Sequence, residues 1–211
     1  RNNLYHINRI HRNLTRHYIN ATAFLNITLP LDIKYHASFN YIQNESLSKT
    51  HDSLLNAYSF SRDSWPKVFD NPANLMLTYE QTHNTRWTFQ TNFSYNKTFA
   101  GKHDVGAIVG FEAFESISDP FSARKKGWTS MVLDQMDNIT NVEYVKGAMS
   151  DFASASVFGR VTYAFDGKYM AEVNLRYDGS SRFASRSRWG FFPSVSAGWR
   201  ISKESFMEGT G

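Results

Sequence analysis

The feature that most constrains this chain is a strict alternation of apolar and polar residues, sustained over segments of about ten residues. Trp87, Phe89, Phe93 and Tyr95 alternate with Thr88, Gln90, Asn92, Ser94 and Asn96. A strand sends successive side chains to opposite faces, so the rings share one side and the uncharged polar groups the other; a helix would scatter them around its circumference. The same period recurs over residues 19–29, 33–41, 105–113, 157–165, 169–177 and 191–201, with Phe24 and Ile108 as exceptions. Soluble strands run to about five or six residues, whereas a tilted strand crossing a bilayer needs about 9–11. The reading is therefore all-β: an antiparallel meander of about seven strands, part of a transmembrane β-barrel wall.

The connections sort by length. The first two strands meet at Pro30, the third and fourth at Ala100-Gly101-Lys102, and the fifth and sixth at Asp166-Gly167, a strong two-residue hairpin signal. The alternate connections, about 43–85, 115–153 and 179–190, are much longer. Short turns on one rim and long loops on the other are the outer-membrane pattern, periplasmic and extracellular respectively. Phe165 and Tyr169 flank the last short turn, and Tyr41, Trp87 and Tyr177 sit toward the expected long-loop ends. They fit interfacial girdles, and equally cross-strand pairing in a water-soluble sheet.

On this reading the apolar face meets lipid. The polar face, with Lys34, His36, Arg160, Glu172, Asn174, Arg176 and Arg200, lines the lumen. Glu172 is expected to pair across strands with Arg160 or Arg200. For each of these residues the alternative to ligand contact is a wall network that stiffens the barrel. The loop from Asp178 to Trp189 is dense in arginine. Asp178 can accept from backbone amides of an Asp-Gly turn, and Arg182 and Arg188 can fork onto carboxylates or carbonyls. That loop reads either as a rim contact or as a self-bonded loop that holds the barrel mouth in shape.

Composition removes several other classes. No cysteine is present, so disulfides, thiolate metal sites and a cysteine nucleophile are excluded. The longest apolar run, Val105 to Phe111, is far short of a transmembrane helix. Aromatic residues make up 16% of the chain, against the depletion that marks disorder. The net charge of +4 gathers in Arg1, Arg9, Arg12 and Arg16 and again in Arg176 to Arg200, but no nucleic-acid-binding signature accompanies it, so no nucleic-acid partner is expected. Nucleophile-elbow, phosphate-loop and zinc-helix motifs are absent, and no enzyme is expected. His11 and His17 lack the spacing of a metal site. Asp134, Asp137 and Asn138 lack the dense alternation of a calcium loop, which leaves extracellular calcium without a motif and no cofactor expected. Several of the glycosylation sequons, such as those at Asn26 and Asn92, fall in strand-like runs, and the set reads as chance products of Asn and Thr richness.

From Tyr169 the chain reads YMAEVNLRYDGSSRFASRSRWGFFPSVSAGWRISKESFM. Arg176, Asp178-Gly179-Ser180-Ser181-Arg182-Phe183, Arg188-Trp189-Gly190, Phe192-Pro193-Ser194, Ser196 and Gly198-Trp199-Arg200 closely resemble a stretch of the SusC/RagA-type TonB-dependent outer-membrane transporters. Ala184 stands where a glycine is common there, and Ser187 where an asparagine often precedes the Arg-Trp pair. Tyr95-Asn96-Lys97-Thr98-Phe99 with His103 and Gly110-Phe111-Glu112, and the turn Phe165 to Tyr169, look like the same family. The resemblance implies a 22-stranded barrel in the bacterial outer membrane, with an N-terminal plug, energised by TonB and lidded by a SusD-like lipoprotein. It also implies import of oligosaccharides or peptides. Residues 1–17 are then the tail of an extracellular loop and 18–211 a partial barrel without plug or closing strands. Two alternatives stand beside it: a water-soluble all-β binding module whose apolar faces form a sandwich core, and a small structural outer-membrane barrel.

Overall fold

The structure, a computed structural model, describes residues 10–53, 56–57, 67–68, 72–128 and 134–207. Its strands are β1 (Ile10–Thr28), β2 (Lys34–Asp52), β3 (Asn56–Ala57), β4 (Lys67–Val68), β5 (Met76–Phe99), β6 (His103–Trp128), β7 (Ile139–Gly147), β8 (Ser150–Phe165), β9 (Tyr169–Ser180) and β10 (Trp189–Trp199). One sheet runs β1-β2-β5-β6-β8-β9-β10, a sequential meander of seven strands, with β7 also paired to β6; β3 and β4 pair with each other. The antiparallel meander read from the sequence is the observed fold.

The turn chemistry explains the short rim. Asp166 and Gly167 both have positive φ, as do Ala100 and Gly101, a backbone matched to the strand twist; three residues rather than two, Asp166 to Lys168, separate the paired Phe165 and Tyr169. Each turn is closed by a backbone bond, Lys168 to the Phe165 carbonyl at 2.9 Å and Lys102 to the Phe99 carbonyl at 3.1 Å. At the first turn Pro30–Asp32 form a 3-10 turn, and Leu29 donates to the Ile33 carbonyl at 2.7 Å. Asp166 donates its backbone N–H to Lys102 at 2.7 Å, and Lys97 lies 3.8 Å from Asp32. The three short turns therefore share one rim.

Several strand ends differ from the sequence reading. β1 begins at Ile10, β2 runs on to Asp52, β5 starts at Met76 and β6 ends at Trp128. Trp87 and Tyr41 thus lie inside strands rather than at their ends. Residues 43–52, 76–85 and 115–128 belong to strands without apolar-polar alternation, because no continuous apolar face is required of them; the apolar residues they bury, Leu77 and Trp128, are packed locally. At the other limit β10 stops at Trp199, and Ile201–Lys203 form a 3-10 turn. This places Arg200 and Ile201 at the short-turn rim, where Arg200 donates its N–H to the Lys168 carbonyl at 2.7 Å.

The chain divides into two compact units. The first comprises residues up to Ile19, Gln43–Thr85 and Ile117–Ser150. It holds the buried apolar residues Leu75, Leu77, Trp128 and Ile139, with Tyr79 and Met136 packed against them. At its margin His51 stacks on His11 at 5.3 Å and tilts toward Trp128 at 6.1 Å. Lys49 pairs with Asp134 at 2.6 Å and lies over the Tyr79 ring at 5.4 Å. Burial pushes the His51 pKa below its ordinary 6.5, and the positive charges of His11 and Lys49 add to this against Asp134 and Asp52. A hydrogen bond from Lys49 likewise holds the Asp134 carboxyl below the usual carboxylate range. Both folded pKa values are depressed, so both groups contribute stability at neutral pH that is lost on acidification. For His51 the loss starts near pH 6.5 and continues down to its lower folded value; for Asp134 it comes at more acidic pH. Hydrogen exchange at Leu77 and Ile139, corrected for intrinsic rate, is expected to speed up from pH 7 to pH 5.5. His51→Phe is expected to flatten that dependence, and a flat profile in the unsubstituted protein would contradict it.

The second unit comprises Asn20–Ile42, Arg86–Ser116 and Asp151 onward. Among the described residues, none of the buried hydrophobic ones belongs to it. Register lines up one apolar face across three strands: Val161, Val173 and Val195 are successive partners, as are Gly159, Leu175 and Pro193, and Val157, Tyr177 and Phe191. Among the described residues nothing covers this face, and Val161, Val173 and Val195 are 53%, 40% and 75% exposed. A sandwich core would have buried them, so the water-soluble alternative has no support in the packing.

Candidate functional site

The opposite face of the second unit is polar and organised around Arg176. Register sets Arg176 between Phe158 and Phe192, Asn174 between Arg160 and Ser194, and Glu172 between Thr162 and Ser196. Arg176 and Asp178, two apart on one strand, point the same way, and Arg176 Nε donates to Asp178 Oδ1 at 2.7 Å. Arg176 Nη2 donates to the buried Ser156 hydroxyl at 3.0 Å and stands 3.8 Å from Glu112 on β6. One guanidinium thus ties β6, β8 and β9 together, a use suited to its rigid fork of donors.

Two sequence expectations are corrected here. Glu172 does not pair with Arg160 or Arg200; it accepts from Asn174 Nδ2 at 2.6 Å. The hairpin register puts Thr162, not Arg160, opposite Glu172, and β10 ends before Arg200. Asp178 does not cap an Asp-Gly turn, because Tyr169–Ser180 are all strand and the carboxylate is taken by Arg176. Neither Glu112 nor Ser156 is among the lumen-facing candidates read from the sequence. Their even-numbered positions, opposite in parity to Val109, Phe111 and Val157, carried the signal.

On β1 and β2 the same kind of face is knit by hydrogen bonds. His36 Nδ1 lies 2.6 Å from Asn26 Oδ1, and the His36 carbonyl accepts from Thr91 Oγ1 at 3.1 Å. Asn40 donates to Asn20 and Thr22, each at 2.7 Å. Lys34 opens β2 and is exposed.

The arginine-rich loop shrinks to residues 181–188, since Gly179, Ser180 and Trp189 belong to strands. It bonds mostly to its own unit. Ser180 donates to the Arg188 carbonyl at 3.0 Å, Ser181 donates to the Ala153 carbonyl at 2.9 Å, and Ala153 donates back to Ser181 Oγ at 2.9 Å. The Arg182 guanidinium sits 4.4 Å from the Phe152 ring centre instead of forking onto a carboxylate. Trp189 stacks on Tyr177 at 5.0 Å and 11° and covers Gly179. No cluster of three or more metal-ligating side chains occurs among the described residues.

Comparison with known proteins places this geometry. The family described as TonB dependent receptor-like, beta-barrel matches residues 2–206. The chain is 32% identical over 150 residues to TonB-dependent receptor P39 of Formosa agariphila, covering 69% of this chain and 14% of that protein. It is 27% identical over 183 residues to TonB-dependent receptor SusC of Bacteroides thetaiotaomicron, covering 84% of this chain and 16% of that one. A solved structure of the RagAB peptide transporter superposes with a TM-score of 0.84 over 97% of this chain and 22% of its own, at 21% identity, a likeness of fold. The chain spans about a sixth or less of the length of these two curated relatives.

Proposed function

The chain belongs to the TonB-dependent receptor-like β-barrel family, and from that premise we propose that it supplies wall, lumen surface and extracellular loops to an active importer of oligosaccharides or peptides. Barrels of this family stand in the bacterial outer membrane and transport rather than catalyse. The observation that carries the proposal is the two-sidedness of the second unit. One face is apolar and uncovered by any described residue, and the other is polar, hydrogen-bonded and centred on Arg176. A wall between hydrocarbon and an aqueous lumen needs those two faces.

Within this reading Lys34, His36, Arg160, Glu172, Asn174 and Arg176 face the lumen, and Arg200 belongs to the periplasmic rim. Residues 18–211 are barrel, and residues 10–17 are the part of β1 that leaves the membrane on the extracellular side. The SusD-like lid, the plug and TonB are the partners that the SusC and RagAB likenesses suggest. Arg182 and Arg188 keep the barrel mouth in shape, a role supported by the loop's bonds to its own unit.

The test is uptake by the full-length protein in its own outer membrane. Labelled oligosaccharides and peptides of a size excluded from porins are offered with and without TonB. TonB-dependent accumulation of one class is expected, as is co-purification with a lipoprotein partner. Accumulation that ignores both TonB and an uncoupler would overturn the reading. Deleting residues 182–187 is expected to lower the yield of folded barrel more than the uptake per folded barrel.

A further inference from the structure

Glycines inside a sheet leave holes, and this sheet fills most of its own. Phe158 lies over Gly110, Trp189 over Gly179 and Phe192 over Gly190, while Thr162 and Asn96 close over Gly106. Gly159 is treated differently. A Cβ there would meet only the Ile108 carbonyl, at 3.7 Å, so no side chain closes over it. Gly159 lies on the apolar face, in line with Leu175 and Pro193. Around it opens a notch of about 400 Å³ whose lining is almost wholly apolar, with Phe93, Tyr95, Ala107, Val173 and Leu175 among its walls. That volume lies within the roughly 300–1,000 Å³ of ligand pockets.

We propose that this notch seats one acyl chain of a glycerophospholipid from the leaflet on the short-turn side of the membrane. The inference rests on the reading that this face meets lipid. Three observations fix the occupant. An apolar notch on a membrane-facing wall is continuous with hydrocarbon, so an alkyl chain fills it with very little polar surface to desolvate. Its depth is right, because its residues on β5, β6, β8 and β9 lie four to six positions from the short turns, roughly 13–20 Å along a strand. That is the acyl region of one leaflet in a core about 30 Å thick. A cation also stands at its rim. Lys97 shares the face of Phe93 and Tyr95, nearer the turn, and Asp32 beside it carries its partner carboxylate at a loose 3.8 Å. An ammonium held that weakly and that exposed is free to take the lipid phosphate.

The experiment is native mass spectrometry of the full-length transporter extracted in mild detergent. One phospholipid is expected to persist on the unsubstituted protein through delipidating washes. Gly159→Leu fills the notch and is expected to reduce that population about tenfold. Ala107→Phe fills it from the neighbouring strand with the same result and guards against a folding defect in the first variant. Val195→Leu, on the same face outside the notch, is expected to change nothing. Lys97→Ala is expected to weaken retention of phospholipid while free fatty acid is held as before. Folding is followed by the shift of the unheated band on a gel. Equal retention in folded Gly159→Leu and Ala107→Phe would overturn the proposal, as would retention only of lipids without a glycerophosphate. If Val173→Arg also proves harmless to insertion, the lipid-facing assignment itself fails; if it is harmful while the notch variants keep their lipid, the notch alone is wrong.

Discussion

Refolded in buffer without detergent or lipid, the 211-residue chain is expected to aggregate, giving neither a monodisperse monomer nor a cooperative melt. The second unit has no buried apolar residues among those described, while Val161, Val195 and Phe191 are each more than half exposed. Aligned by register across β8, β9 and β10, such residues form a patch well above the few hundred Å² that a soluble monomer tolerates. β1 and β10 each have a single strand neighbour, so each presents a row of unpaired backbone groups ready to template further pairing. The buried core of Leu75, Leu77, Trp128 and Ile139 is confined to the first unit and does nothing for the second. On the proposed reading, lipid would cover the face and neighbouring strands would occupy the edges in an outer membrane. Size-exclusion chromatography with light scattering decides the matter. A sharp detergent-free monomer would mean that the apolar faces find a protein partner after all.

How much of this was legible follows from where alternation is enforced. Between the short turns and Trp87, Phe111, Val157 and Tyr177, one face must be apolar, and parity alone separated Val173 from Asn174 and Val161 from Arg160. Farther along β5 and β6, at Thr82-His83-Asn84 or Ser116-Ile117-Ser118-Asp119, no face is obliged to be apolar, so strand read as loop. The core of the first unit was invisible for another reason. Leu75, Leu77, Trp128 and Ile139 come from three separate segments that only tertiary pairing brings together. In the polar face, parity found the residues but not their partners. Partner choice depends on register, and here the turn could have supplied it: closing Asp166-Gly167 with Phe165 opposite Tyr169 puts Thr162 across from Glu172 and leaves Arg160 across from Asn174. What the turn could not supply is Glu112, which reaches Arg176 from β6.

Val173→Arg in the full-length barrel is expected to cost about 2–4 kcal/mol of folding stability in lipid vesicles, the range for a cation facing lipid near the midplane. Val173 is the middle of the row Val161, Val173, Val195 and lies near the centre of β9, so an arginine there has the longest way to snorkel to either interface. Asn174→Arg, one position along, is expected to cost under about 1 kcal/mol, because the lumen side is wet: the new charge faces Ser194 and the like charge of Arg160 across the strands, a repulsion screened by water and offset by the Glu172 carboxylate that Asn174 now bonds. The difference between neighbours isolates the facing of the wall from any effect of arginine on strand propensity or on the β9 backbone. Urea titrations of both variants, followed by tryptophan fluorescence, give the two values under one condition. Equal tolerance would mean that the inside and outside of the wall are assigned the wrong way or that this segment stands clear of the hydrocarbon. A large cost at Asn174 with none at Val173 would select the first of these, since only inversion of the faces puts Asn174 in lipid.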